Sequence, residues 1–132
     1  MNWIAIFIAG VVYFALGGIW FSPQVFGRLW DKAIGFERPD RWKPSVIFYI
    51  GPLIGCLVAS VATALLIGFI QPKTLLGAVS LGLVVGIGYG GTITAVNAIS
   101  PTASRPGLFT AIVGSYHVIG LVICTAILYV WP

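Results

Sequence analysis

Four long runs of the chain contain no Asp, Glu, Lys or Arg: residues 2–21, 46–70, 75–99 and 108–131. At about 1.5 Å of rise per residue, helices of that length cross the ~30 Å hydrocarbon layer with some tilt. No other feature limits the fold so tightly. The apolar residues do not alternate with polar ones, as they do in the short strands of a membrane barrel. Val79-Ser80-Leu81-Gly82-Leu83-Val84-Val85 is rich in β-branched residues and Gly, and would make a weak helix in water. In lipid only helices and closed barrels satisfy every backbone N–H and C=O, and run length decides for helices.

Composition agrees, with 59% hydrophobic and 8% charged residues against about a quarter charged in a soluble domain. The expected fold is an all-α membrane protein of one domain, residues 1–132, with four transmembrane helices in an antiparallel bundle. The first run has no Lys or Arg before it and no small-x-small cleavage site after it, so it reads as a retained helix rather than a signal peptide. Cys56 and Cys124 fall inside spans, show no CxxC spacing, and read as small apolar residues.

Charge sets the expected orientation. Arg28, Lys32, Arg38, Arg41 and Lys43 lie in the first loop, 22–45, and Arg105 in the third, whereas the second loop holds only Lys73. The positive-inside rule then places loops one and three in the cytoplasm and both termini outside. Trp3 and Trp131 mark the outer ends and Trp20 an inner end, as interfacial anchors. The +4 net charge reads as orientation and contact with anionic lipid, not nucleic-acid binding. Within the first loop, Ser22-Pro23 resembles a helix start. Phe26, Leu29, Trp30 and Ala33 then recur at helical spacing opposite Arg28, Asp31 and Lys32. This predicts a short amphipathic helix in the interface, anchored by Trp30, that either positions the first two spans or offers a docking surface. Glu37 and Arg41 are spaced to pair in the charged turn that follows.

Gly51, Gly55 and Ala59 recur every four residues in the second span, as do Ala78, Gly82, Gly86 and Gly90 in the third. Small residues at this spacing let helices approach closely where lipid supplies no hydrophobic drive. They suit a homodimer seam as well as the bundle's own packing. A strict four-residue stripe drifts around an α-helix, so a crossing partner follows only part of it. Pro52 is expected to kink the second span.

His117 sits at mid-span in the fourth helix, on a face with Thr110, Gly114, Leu121 and Cys124 that should point inward. It could relay protons, contact a ligand or ligate a pigment. The plainer reading is a hydrogen bond across the bundle to Tyr89, Thr92 or a carbonyl freed near Pro52. Tyr89, Thr92 and Asn97 lie within two turns of one another and could line a small polar pocket with His117, or bond between helices. One His without an acid in any span makes no metal site. No paired carboxylates, Ser–His–acid set, HExxH or P-loop is present, so neither an enzyme nor a cofactor is expected. Nor is there the membrane-embedded carboxylate that a proton-coupled drug exporter uses.

Phe14-Ala15-Leu16-Gly17-Gly18-Ile19-Trp20-Phe21-Ser22-Pro23, continuing to Phe26-Gly27-Arg28-Leu29-Trp30, resembles the bacterial membrane family known as domain of unknown function 1761. Asn97-Ala98, Arg105-Pro106, Phe109 and Tyr116-His117-Val118 resemble it too, so the likeness spans nearly the whole chain. It implies a four-helix inner-membrane protein and no activity. Members often carry an Asp shortly before the Tyr of the fourth helix, where this chain has Val113-Gly114-Ser115. The expected function is non-enzymatic: an accessory or structural subunit of a membrane complex, or of a homo-oligomer. The alternative is a small dimeric transporter or permeability protein with a polar pathway around His117, Tyr89 and Asn97.

Overall fold

The charge-free runs become helices in the structure, a computed structural model that describes residues 1–101 and 103–132. Among the described residues there are five helices and no strand: α1 (Trp3–Trp20), α2 (Gly27–Ile34), α3 (Ile47–Ile70), α4 (Leu75–Ala98) and α5 (Pro106–Val130). All but α2 are long and apolar enough to cross a membrane. Local chemistry sets their ends. The Asn2 side chain accepts the Ala5 N–H at 3.1 Å, and Thr74 accepts that of Gly77 at 3.1 Å, as N-caps do. Gln71 closes α3 in the left-handed conformation, φ 50°. Pro52 removes one backbone donor near the start of α3 yet stays within a single helix.

α5 is the hub and packs on α1, α3 and α4, while α1 also packs on α3. In the most apolar window of α5 44% of residues are buried, against 17% in α3 and in α4. Along the α1–α5 seam Asn2 bonds the Pro132 carbonyl (3.3 Å), Tyr13 meets His117, and Trp20 bonds the Ile112 carbonyl (3.0 Å). Tyr13 lies against Gly120, where a Cβ would collide with its ring. On the α4–α5 seam a Cβ at Gly82 or Gly86 would come within 2.8 Å of the Val122 or Val118 Cα, and one at Gly90 within 3.1 Å of the His117 Cβ. The α4 stripe is therefore packing within the chain. It also runs further than an α-helix allows, for Ala78, Gly82, Gly86, Thr94 and Ala98 are all buried. A π turn over Gly86–Gly91 winds α4 more loosely and keeps the four-residue stripe on one face. The α3 stripe differs: a Cβ at Gly51 or Gly55 would touch nothing within 4 Å.

Polar and small groups share the interior with Ile6, Ile112, Leu121 and Leu128, while many large apolar side chains lie outside. Ser60, Thr63, Thr94 and Thr125 are buried, each donating to a carbonyl: Ile6, Ala59, Gly90 and Val122 respectively. Phe7, Phe69, Leu76 and Val84 are exposed. This reverses the soluble pattern and fits an apolar solvent.

The first loop corrects two expectations. Ser22 does not cap α2: its Oγ donates back to the Ile19 carbonyl (2.7 Å), and tight turns carry the chain to Gly27. There a Cβ would collide with the Phe21 carbonyl oxygen. Arg38, not Arg41, forms the ion pair, holding Asp31 through two bonds of 2.9 and 3.1 Å while lying 4.8 Å over the Trp42 ring. α2 turns Ala33 inward and leaves Arg28 and Lys32 exposed. It is tied to the start of α5 by the Arg105 N–H, which donates to the Ala33 carbonyl at 2.9 Å.

The two kinds of glycine should respond oppositely. Gly120→Ala is expected to destabilise the protein by about 1–3 kcal/mol through overpacking. Gly51→Ala should be neutral, or stabilise by up to about 1 kcal/mol through helix propensity. Unfolding in mixed micelles would measure both, and equal effects would refute the seam.

Candidate functional site

Where α1, α3 and α5 meet, four side chains form a polar cluster. The Tyr13 hydroxyl lies 2.7 Å from His117 Nδ1. The Tyr116 O–H donates to the Tyr13 carbonyl (3.2 Å), and the Cys56 thiol lies 3.5 Å from the same Tyr116 oxygen. The rings pack together, with centroids 5.3 Å apart for Tyr13–Tyr116 and 4.9 Å for Tyr116–His117. Small residues make the room: Gly120 lies under Tyr13, and a Cβ at Gly17 would stand 3.0 Å from the Tyr116 hydroxyl.

Hydrogen-bond counting assigns the neutral ring's tautomer, which heavy atoms alone leave open. If Nδ1 carried the proton, the Tyr13 O–H would have no acceptor among the described residues, and Nε2 would also be unpaired. With Tyr13 donating to Nδ1, only the Nε2–H remains unpaired. The second arrangement leaves fewer unmet groups in a dry interior, where each one costs free energy.

Above this floor is a half-open cleft of about 330 Å³, walled by Pro52, Gly55, Cys56 and Ala59 of α3 and Gly90 of α4, with Tyr13, Tyr116, His117 and Leu121 beneath. It exists because α3 and α4 lack a seam like those α5 makes with its neighbours. Gly55 and Ala59 are thus cleft wall. A second π turn, Thr110–Gly114 in α5, packs against that of α4 just beyond the cleft. Such turns recur at functional sites.

The other anticipated members are elsewhere. Tyr89 is 66% exposed on the outer side of α4. Thr92 and Asn97 are also exposed, with Thr92 bonding its own helix at the Ile87 carbonyl (3.1 Å). None meets His117, whose partner is Tyr13, so the anticipated polar pocket of all four is not assembled within one chain. Trp3 and Trp131 are exposed at the joined chain ends. Trp20 instead ties α1 to α5, and Trp30 packs on Phe21 with ring centroids 5.8 Å apart. Tyr13 was missed, although a mid-span Tyr in one helix and the only His in mid-span in another was a legible signal.

A helical fold with four membrane-length apolar helices and a polar cluster beneath a lateral cleft defines a multi-pass membrane protein. The chain belongs to the family described as Protein of unknown function (DUF1761), whose model matches residues 4–129. No curated protein and no solved structure matches the chain.

Removing the Tyr13 hydroxyl orphans His117 Nδ1. A double-mutant cycle between Tyr13→Phe and His117→Leu should give a coupling of about 0.6–1.7 kcal/mol, the range for hydrogen bonds between membrane helices. Additive effects would show that the bond contributes nothing.

Proposed function

We propose that this is a non-enzymatic subunit that works by self-association in the bacterial inner membrane. In this reading the four long helices form an antiparallel transmembrane bundle with both termini outside. Loops one and three are cytoplasmic, and α2 lies in the interface. Two observations support the antiparallel arrangement: Asn2 contacts Pro132, and residue numbers rise along α1 as they fall along its α5 partners. The basic residues of loop 22–45 and Arg105 support the orientation. All three acids also lie in that loop, and one is held by Arg38.

The observation that carries self-association is the outer face of α4. Tyr89 projects from the helix with no hydrogen-bond partner among the described residues, Thr92 and Asn97 are exposed, and Gly88 has open space where a Cβ would stand. A hydroxyl facing hydrocarbon is costly, and a neighbouring helix is the usual remedy. A second copy fits best, because an Asn amide both donates and accepts and so pairs with its own equivalent across a two-fold axis. Gly88 would let the two α4 helices approach closely.

Native mass spectrometry from gentle detergent should show a homodimer. Tyr89→Leu with Asn97→Leu should weaken it by about 0.6–2 kcal/mol per lost bond. A monomer at every concentration, or an unaffected dimer, would sink the reading, and stoichiometric co-migration with other subunits would replace self-association by a hetero-complex. For orientation, Lys73→Cys in intact cells should react with an impermeant maleimide and Gln24→Cys only after permeabilisation. The reverse would invert the topology.

A further inference from the structure

His117 has an unfinished hydrogen bond at the deepest level of the protein. Tyr13 fixes its Nδ1 at 2.7 Å, whereas Nε2 takes no partner among the described residues. Among the described residues no buried side-chain nitrogen or oxygen is both sealed and unpartnered, so Nε2 reaches the molecular surface, and His117 is one of the residues that line the cleft. The tautomer assigned above makes this atom an N–H donor. His117 stands eleven residues after Pro106 and thirteen before Val130, about 16 Å and about 20 Å along the axis from the ends of α5. In the bilayer reading that is the midplane, where no water and no headgroup can complete the bond.

We propose that the α3–α4 cleft is a binding site for an apolar, membrane-dissolved molecule whose carbonyl oxygen accepts the His117 Nε2–H bond, a substituted quinone ring being the type. Three features select this ligand. The donor calls for an acceptor such as a carbonyl. The wall residues Gly55, Ala59 and Gly90 leave a smooth apolar space of about 330 Å³, at the lower end of small-molecule pockets and enough for one substituted ring. The depth favours a molecule dissolved among the acyl chains over a phospholipid, whose ester carbonyls stay near the headgroups. Entry is sideways, between α3 and α4, where no helix seam bars the way. Tyr13 acts as a positioning residue: by donating to Nδ1 it keeps the proton on Nε2. The site is formed within one chain and does not depend on the α4 dimer.

The chain has a single histidine, so selective ¹⁵N labelling gives one imidazole to follow in the full-length protein in nanodiscs. Decylubiquinone should shift the Nε2 resonance saturably, while decylbenzene, which lacks the carbonyl, should not. Gly55→Leu fills the cleft at a position with no neighbour within 4 Å of a Cβ, and should abolish the shift in a protein that still folds. Tyr13→Phe should weaken binding, because part of the population then carries the proton on Nδ1 and cannot donate from Nε2, and should move the resonance toward the other tautomer. Without quinone, nanodiscs of ester- and ether-linked phospholipid should give the same Nε2 signal. A difference between them would assign the acceptor to a phospholipid ester and overturn the quinone. An equal response to decylbenzene, or persistence in Gly55→Leu, would overturn the hydrogen-bonded site, as would the absence of any saturable shift.

Discussion

Hydrocarbon neither hydrogen-bonds to a helix nor drives one helix against another, because acyl chains are as apolar as leucine. A chain built for that solvent must satisfy its polar groups internally and gain packing by close approach. Both demands converge on α5. Its Gly120 receives the Tyr13 ring, its Val118 and Val122 backbone lies against Gly86 and Gly82 of α4, and its Ile112 carbonyl takes the Trp20 N–H. Cross-helix bonds from Ser60 to Ile6 and from Tyr116 to Tyr13 complete the arrangement. Much of the apolar surface that would form the core of a soluble protein lies outside.

The spans were legible because a missing charge over twenty residues is a strong signal that needs no knowledge of neighbours. Which face of each span meets another was not. Gly51-Gly55-Ala59 and Gly82-Gly86-Gly90 look alike in sequence, yet the second is a seam and the first borders open space. Spacing reports that a backbone can be approached, and is silent on whether anything approaches it. The misplacement of Asn97 has a sharper cause. In a regular α-helix it stands seven residues from Gly90, on the same face. The π turn over Gly86–Gly91 shifts the phase, so that Thr94 and Ala98 point inward and Asn97 outward. Ser22-Pro23 misled for a related reason. The hydroxyl chose a carbonyl behind it, and a turn around Gly27 took the place of the expected cap.

The resemblance segments at the end of α1, in α2 and around Tyr116-His117 meet in three dimensions. Trp20 stacks on Phe26 at 4.7 Å, Phe21 packs between Trp30 at 5.8 Å and Tyr116 at 5.3 Å, and Tyr116 touches both Tyr13 and His117. Aromatic rings thus run without a gap from α2 to the polar floor. Protein interiors pack too densely for one ring in such a row to move while its neighbours stay fixed. The Arg105–Ala33 backbone bond fastens α2 to the start of α5 as well, so α2 is joined to α5 at two levels. A tilt of α2 would therefore press on Phe21 and, through it, on Tyr116, as well as on the start of α5 through the Arg105–Ala33 bond. The floor of the cleft is positioned by the same residues that turn the chain at the end of α1, which gives that corner a consequence beyond joining two spans.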